Sequence, residues 1–276
     1  MAVPTIDSSF VKQYEIEVHQ AYQRQGSKLR STVRLRDGVE GSSTTFQKIG
    51  TGSATTKARH GTITPMNLDH TPVECTLSDW YAGDWVDALD EMKAGHDERR
   101  VVINAGAWAL GRKTDEQIIT ALKGTSNTVA ASAAGLTKAK IYSAYETLGE
   151  NSVFEAGRMY AVVGYEQWTE LLDLTEFASA DYVGAGELPF KAPAGAEVKR
   201  WMGTVWMTHS SLPKAANGRS VFWYHQDSVG HAAGSNVTSD ITWHGDRASW
   251  FVNNMMSQGA CLIDGNGVVE IVCVES

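Results

Sequence analysis

A periodic stretch from residue 97 to residue 123 constrains the fold of this chain more than any other feature of its sequence. Its apolar and small side chains recur at steps of three and four, at Ile103, Ala107, Leu110, Thr114, Ile118 and Leu122. This spacing predicts an amphipathic helix about 40 Å long, since each helical residue adds about 1.5 Å. A helix of that length suits a structural spine better than a catalytic scaffold.

The sequence also permits a break in this helix. Gly111 is a weak point in a helix interior, and Thr114 with Gln117 could form a capping box that starts a second helix. The outer ends are well marked, because Asp97 suits the positive end of a helix and Gly124 suits its C-terminal cap. We expect one long helix, with two shorter helices as the alternative.

Composition and charge point to a folded protein that associates with itself. The 276 residues are enough to bury a core, and 20% charged with 42% hydrophobic residues is ordinary for a globular chain. Residues 1–60 carry nine basic and five acidic groups, whereas the other 216 residues carry 15 basic and 27 acidic groups. A basic segment joined to an acidic body favours contact between copies of the chain, with another polyanion as the alternative partner.

The cysteines and the apolar runs bear on where the chain is found. The three cysteines, at positions 75, 261 and 273, form no C-x-x-C pair, and each lies in an apolar stretch. We interpret them as reduced core residues of a protein made in the cytoplasm. There is no N-terminal signal pattern and no apolar run of roughly 18 residues, so we expect a chain that is neither secreted nor membrane-spanning.

The first 27 residues predict a short N-terminal arm. Apolar residues spaced by four alternate there with polar ones, at Phe10, Tyr14, Val18 and Tyr22. This apolar stripe is narrow, so the helix it predicts would hardly be stable alone. We expect the arm to dock onto another surface.

Residues 28–70 predict an extended ribbon with little apolar surface of its own. Residues 32–36 and 44–49 alternate as strands do, and residues 57–64 predict a weaker third strand. Such a ribbon needs a neighbour to stabilise it, and a long surface loop is the alternative. Its basic residues are expected to meet the acidic body of another copy, with a solvated face or a phosphate backbone as alternatives. The candidate contacts are Arg30, Arg34, Arg36, Phe46, Lys48, Lys57 and Arg59.

The rest of the chain predicts strands and helices in mixed order. The predicted strands are 71–77, 159–163, 198–208, 221–224, 241–243, 260–263 and 268–272, and the last two are predicted to form a hairpin around a turn at 265–267. The predicted helices are 80–92, 138–148, 166–174 and 249–256. Residues 130–136 predict a linker and residues 178–195 a loop. This order indicates an α+β fold in two intertwined lobes.

No catalytic or cofactor-binding motif is evident. His225, Asp227 and His231 come nearest to a metal site, but their spacing matches no usual ligand pattern. His209 beside Ser210 lacks the nucleophile elbow of hydrolases, and no dinucleotide or Walker glycine pattern follows a predicted strand. We expect no catalytic residue, metal or cofactor. A metal-dependent enzyme that uses His225, Asp227 and His231 is kept as an alternative.

Four phrases of the sequence resemble the coat proteins of tailed bacteriophages that have the Hong Kong 97-type fold. They are QGSKLR from residue 25, TFQKIG from residue 45, ALGRKTD from residue 109 and GACLID from residue 259. Their order and spacing carry the resemblance, which covers nearly the whole chain. It is closest to coat proteins of phages and prophages of proteobacteria.

The resemblance implies an α+β fold with named parts. They are an N-terminal arm (1–27), an extended loop (28–70), a peripheral domain (71–152) with a spine helix at 97–123, an axial domain (153–235) and return strands (236–276) that close the core. Some relatives carry an additional N-terminal scaffolding segment, whereas here the arm comes almost first. Some relatives also crosslink a loop lysine, but nothing identifies an acceptor for Lys48 or Lys57, so crosslinking is not predicted.

The resemblance also implies a function. The chain would be the major capsid protein of a tailed double-stranded DNA bacteriophage or prophage, made in the host cytoplasm and located in the virion. Copies would assemble into pentamers and hexamers of an icosahedral head that encloses the genome. Further partners would be scaffolding, portal and decoration proteins and packaged DNA contacted non-specifically, without a membrane. The shell protein of a cellular nanocompartment with the same fold is the alternative.

Overall fold

The computed structural model describes residues 26–94, 97–130, 135–178, 198–215 and 218–275. The predicted arm contacts Phe10, Tyr14, Val18 and Tyr22 and nearly all of the predicted loop at 178–195 lie outside these residues. The chain forms two compact units. The first includes residues 79–112 and 236–256, and the second includes residues 27–78, 113–235 and 257–276.

The described residues form strands and helices in mixed order along the chain. The strands are β1 (Arg34–Asp37), β2 (Ser43–Ile49), β3 (His70–Thr76), β4 (Ser78–Asp87), β5 (Thr128–Val129), β6 (Met159–Val163), β7 (Val198–Trp201), β8 (Thr204–Thr208), β9 (Lys214–Ala215), β10 (Gly218–His225), β11 (Val229–His244), β12 (Ser249–Leu262) and β13 (Val268–Val274). The helices are α1 (Ala88–Ala94), α2 (Glu98–Leu122), α3 (Lys138–Glu150), α4 (Tyr165–Leu172) and α5 (Thr175–Ala178).

Helix α2 is continuous over 25 residues, which confirms the predicted long spine helix. Gly111 does not break it. A Cβ atom at Gly111 would lie only 2.7 Å from the backbone of Gly26, so the absence of a side chain allows the two segments to touch. The predicted apolar face is buried in the second half of the helix, at Leu110, Thr114, Ile118 and Leu122.

A seven-stranded sheet forms the core of the second unit. Its order is β5-β13-β10-β6-β8-β7, with β9 also paired to β10. Strand β10 is antiparallel to both β13 and β6, and β6 is parallel to β8. Because β10 is covered on both faces, its residues from Val221 to Tyr224 are all buried.

The alternate residues of β10 belong to two different hydrophobic clusters. Val221 and Trp223 contribute to one cluster, and Phe222 and Tyr224 to the other, as expected for successive residues of a strand. The first cluster includes, from α3 and α4, Ile141, Ala144, Leu148, Trp168 and Leu171. The second includes, from α2 and the residues near β1, Ile118, Leu122, Leu29 and Val33.

A second sheet has the order β1-β11-β12-β4, and its strand β12 corrects a prediction. Residues 249–256 form a strand, so the predicted helix there is wrong. Inward-facing positions of β12 include Asn254 and Gln258, which are buried polar residues. The Asn254 Nδ2 group donates to the carbonyl oxygen of Ala82 at 3.3 Å, and Gln258 Oε1 accepts from Thr114 Oγ1 at 2.9 Å. Amides on the buried face hide the alternation of apolar residues that identifies a strand.

The predicted helix at 80–92 is wrong in its first half. Residues 78–87 form β4, and α1 begins only at Ala88. Trp80, Tyr81, Trp85 and Val86 are side chains that favour strands, and this preference outweighs their near-helical spacing. Asp87 marks the true start of the helix, because its side chain accepts a hydrogen bond from the Leu89 amide at 2.8 Å.

Three further strand predictions need correction. The predicted strand 198–208 is divided into β7 and β8 by a tight turn at Met202 and Gly203, where both φ angles are positive (51° and 68°). Residues 57–64 form no strand. Strands β12 and β13 lie in different sheets, so the predicted closing hairpin does not form. Helices α3 and α4 and strands β3, β6, β10 and β13 are confirmed within a few residues.

Candidate functional site

A β-hairpin with a long exposed end is the most prominent feature of the segment predicted to contact other copies. Strands β2 and β3 pair in antiparallel register, with Ser43 opposite Thr76. Beyond them, residues 50–69 contain no helix or strand and are exposed at every position, and we call this segment the tip loop. The Gly50 amide donates to the Asp69 carbonyl oxygen at 2.8 Å, so the two ends of the tip loop stay together.

The other end of the hairpin is packed firmly against its own subunit. The ring of Phe46 is only 3% exposed. A Cβ atom at Gly230 would lie 2.7 Å from this ring, and one at Gly259 would lie 2.1 Å from the Thr76 carbonyl oxygen. Two glycines therefore allow the hairpin to lie directly on β11 and β12. We call this contact the hairpin root, and it also includes Cys75, Ala232, Ile263 and Cys261.

Two arginines that were predicted to contact another copy make contacts at this root. The guanidinium of Arg34 lies 5.7 Å from the centre of the Phe46 ring, which is within cation–π range. Arg36 Nη1 donates to the Thr45 carbonyl oxygen at 3.0 Å. Both side chains thus hold the hairpin against its own subunit.

Two other predicted contacts form ion pairs within the subunit. Arg30 Nη2 lies 2.7 Å from Asp37 Oδ1. Lys48 Nζ lies 2.9 Å from Asp264 Oδ1, which connects β2 to the turn after β12. Each group is partly exposed, so each pair contributes little to stability, typically below about 1 kcal/mol.

Contacts within the subunit involve five of the seven predicted contact residues, which are Arg30, Arg34, Arg36, Phe46 and Lys48. Phe46 departs from the expectation, because its ring is buried in its own subunit and has no surface to offer another copy. Lys57 and Arg59 lie in the tip loop and are exposed. The intersubunit role of the six basic residues stays a prediction.

A buried carboxylate that no sequence pattern indicated anchors residues 27–29 of the chain. Asp115, on α2, has no exposed surface. Its Oδ1 atom accepts hydrogen bonds from Ser27 Oγ at 2.5 Å and from the Leu29 amide at 3.0 Å. Its Oδ2 atom accepts from the Lys28 amide at 3.1 Å and from His209 Nε2 at 3.1 Å. Asp115 therefore fixes the path of residues 27–29.

The same network fixes the ring tautomer of His209 and favours the charged form of Asp115. The Ser211 amide donates to His209 Nδ1 at 3.1 Å, so the ring hydrogen is on Nε2 and points at Asp115. Burial on its own raises the pKa of the Asp115 carboxyl, but hydrogen bonds from His209, Ser27 and the two amides lower it by more. The net pKa lies below its usual value, so the carboxylate is the form that the fold stabilises.

Comparison with known proteins identifies the family. The sequence matches the family described as phage capsid protein over residues 6–275. The chain belongs to this family. No curated protein matches this capsid protein.

Solved structures show that this capsid protein shares the Hong Kong 97-type fold. The structure from Mycobacterium phage Che8 has a TM-score of 0.74 at 18% identity and covers 96% of this chain and 97% of its own. The capsid of Cyanophage P-SCSP1u has a TM-score of 0.74 at 17% identity and covers 100% of this chain and 96% of its own. The virus-like particle from Pyrococcus furiosus has a TM-score of 0.61 at 12% identity, over 89% and 92%.

Family and fold together confirm the predicted function. The protein is the major capsid protein of a tailed phage, a structural protein of the virion that forms the icosahedral head, and it is not an enzyme. Copies of the protein associate with one another in the capsid. The α+β capsid fold is confirmed as well. The family decides for the phage capsid over the nanocompartment alternative, which the fold alone does not exclude.

The residues considered for a metal site have other roles in the capsid protein. Asp227 pairs with Arg158 at 2.6 Å, and its amide donates to His225 Nδ1 at 3.2 Å. His231 is buried, and this burial lowers its pKa to about 4, so the ring is neutral. Across the described part of the chain, no group of three or more His, Cys, Asp or Glu side chains could hold a metal ion. Within that same part, no helix is both long and apolar enough to cross a membrane.

The glycine at the hairpin root provides a test of its packing. Replacing Gly230 by alanine should destabilise the capsid protein by about 1–3 kcal/mol, because the new methyl group would overlap the buried Phe46 ring. Urea unfolding of the unassembled subunit measures this change. Gly149→Ala is the matched control, since nothing lies within 4 Å of a Cβ atom there. Equal stability of the two variants would contradict the packing described for the root.

Proposed function

We propose that the tip loop of one capsid protein binds the body of a neighbouring copy, and that this contact joins subunits within pentamers and hexamers of the head. One observation carries the proposal: residues 50–69 are exposed throughout, while the hairpin that presents them is packed at its root. A segment of this length with no helix or strand of its own is usually functional or disordered. A firm base and an exposed end suit a segment that is stabilised by a neighbour.

Apolar side chains in the tip loop supply the attraction. Ile63 is 76% exposed and Met66 is 59% exposed, and Leu68 lies beside them in the chain. Covering such side chains contributes about 25 cal/mol per Å² of apolar surface removed from water. In the free subunit this surface faces water, so association with another copy is favourable.

Charge determines which surfaces of two copies meet in the same contact. The tip loop carries Lys57 and Arg59, and the chain beyond residue 60 has a large excess of acidic groups. A single exposed ion pair contributes typically below about 1 kcal/mol, so the shell depends on many such contacts repeated by symmetry. The basic loop and acidic body favour the approach of tip loop to body over that of body to body.

The remaining assignments extend this proposal. The N-terminal arm, through Phe10, Tyr14, Val18 and Tyr22, would bind beneath adjacent subunits. The peripheral domain (71–152) and axial domain (153–235) would hold their usual places in the shell, and the interior would contact packaged double-stranded DNA non-specifically. Scaffolding, portal and decoration proteins would be further partners.

A charge reversal in the tip loop tests the electrostatic part. The double variant Lys57→Glu with Arg59→Glu should fold normally, because both side chains are exposed. It should need about tenfold more protein to form shells, since reversing two exposed pairs costs about 1–2 kcal/mol per loop. Electron microscopy and sizing across a concentration series measure the threshold.

The control for this test keeps the charge and exchanges the two residues, as Lys57→Arg with Arg59→Lys. It should assemble like the wild type. Raising the salt concentration should narrow the difference between the wild type and the reversed variant, because exposed charges are screened. An unchanged assembly threshold in the reversed variant would remove charge from the proposal and leave apolar contact alone.

A further inference from the structure

Two cysteines that are 186 positions apart in the sequence meet at the hairpin root. Cys75, on β3, is 1% exposed and belongs to the cluster around Phe46, and Cys261, on β12, packs against the same cluster. The strands that carry them approach closely. A Cβ atom at Gly259, on β12, would lie 3.3 Å from the Cα atom of Leu77, which follows β3. Residue 261 is two positions further along β12 and therefore faces the same side of the strand as residue 259.

The two thiols are in contact with each other as well as with the same strand. A hydrogen bond between the thiols lowers the pKa of Cys75 and raises that of Cys261. The amide of Ala232 also bonds to the Cys75 sulfur, and the amide of Gly230 bonds to the Cys261 sulfur. Residues 230 and 232 are two positions apart on β11, so their amides point to the same edge of that strand. Both sulfur atoms therefore lie along this one edge of β11. Both thiols are free.

The third cysteine lies apart from this pair. Cys273 lies on β13 in the large cluster of the other sheet, away from the hairpin root. Burial raises the pKa of its thiol to about 12, which keeps it protonated and unreactive. It therefore serves as an internal reference for the other two.

We propose that Cys75 and Cys261 form a redox-active pair that a peroxide converts to an intrachain disulfide, which closes the hairpin root covalently. The thiolate of one cysteine of the pair attacks one oxygen of hydrogen peroxide, and the O–O bond breaks to give a sulfenic acid and hydroxide, which takes up the proton lost by the thiol. The sulfur of the other cysteine then attacks the sulfenic sulfur and releases its proton, and the S–O bond breaks to release water. Overall, two thiols and one hydrogen peroxide give one disulfide and two waters.

The consequence concerns the base from which the tip loop extends. In a reducing cytoplasm the thiols stay free, and the root is held by packing alone. After oxidation a covalent bond joins β3 to β12, so the hairpin can no longer separate from its own subunit. The link resists unfolding in addition, because it closes a long loop of the unfolded chain.

The test oxidises the purified wild-type protein, both unassembled and in shells, with hydrogen peroxide. After denaturation, the number of titratable thiols should fall from three to one. The subunit mass should fall by two hydrogen atoms without any dimer on a non-reducing gel. Proteolysis followed by mass spectrometry should recover the peptides of Cys75 and Cys261 joined, and a reductant should separate them.

Matched variants complete the test. Cys273→Ser should still lose two thiols on oxidation, whereas Cys75→Ser and Cys261→Ser should form no intrachain disulfide. The wild-type peptide map stands even where a serine variant fails to fold. Three remaining thiols after oxidation, separate sulfinic acids at positions 75 and 261, or crosslinks only between chains would each overturn the proposal.

Discussion

Replacing Asp115 by alanine is expected to lower the free energy of unfolding of the capsid subunit by about 3–5 kcal/mol. The reason is that four donors, from Ser27, Lys28, Leu29 and His209, would lose their acceptor, and those of Leu29 and His209 are buried. Buried donors without partners are more costly than the hydrogen bonds themselves are favourable. Urea unfolding of the dilute, unassembled subunit, followed by tryptophan fluorescence, measures the loss.

The neighbouring residue offers a matched control. Glu116 follows Asp115 in the same helix, but its side chain is 62% exposed and pairs with the partly exposed Lys113 at 2.9 Å. Glu116→Ala should therefore change the free energy of unfolding by less than about 0.5 kcal/mol. Similar losses in the two alanine variants would show that Asp115 has no special role.

The lowered pKa of Asp115 adds a dependence on pH with a defined sign. A carboxyl whose pKa is lower in the folded state stabilises the protein above its unfolded pKa of about 3.9, and that contribution is lost as the pH falls further. The stability difference between the wild type and Asp115→Asn should thus be constant above about pH 5 and shrink below about pH 4. A difference that grew on acidification would contradict this direction.

Removal of the tip loop is expected to abolish shell formation without unfolding the subunit. Residues 51–68 can be replaced by Asn-Gly, because the Gly50 amide already bonds to the Asp69 carbonyl and β2 and β3 could continue into a tight turn. The tip loop is exposed throughout, so its loss should leave urea unfolding almost unchanged. Electron microscopy should show no closed particles, and sizing should show small species.

A second variant separates the side chains of the tip loop from its length. A Gly/Ser segment of equal length in place of residues 51–68 keeps the reach of the loop but removes Ile63, Met66 and Lys57. It should also fail to form shells, since contact with the neighbour requires these side chains. Normal shells from either variant would contradict the proposal that the tip loop joins subunits.

Local pattern predicted the elements that depend on local chemistry. The spine helix was predictable because its apolar residues keep helical spacing, and β6 and β10 because short apolar runs there contain strand-forming side chains. Strand β12 was not predictable, because Asn254 and Gln258 face inward and their partners Ala82 and Thr114 lie far away in sequence. When polar residues occupy the buried positions, the sequence no longer shows the apolar spacing that separates a strand from a helix.

The site shows the same division between local and distant causes. The exposed ribbon could be predicted from its low apolar content and its charge. The burial of Phe46 could not, because the pocket for its ring depends on Gly230, which is 184 positions away. The anchoring role of Asp115 also needs partners at Ser27 and His209, and no local signal marks an acidic residue on a helix as buried.

The central strand β10 affects which subunits are available to a growing shell. Its side chains alternate between two hydrophobic clusters, so each cluster is incomplete without β10. We therefore expect the two clusters to gain and lose their structure together, as one cooperative transition. A growing shell then draws on building blocks that are complete or unfolded, with few half-formed copies to trap in the lattice.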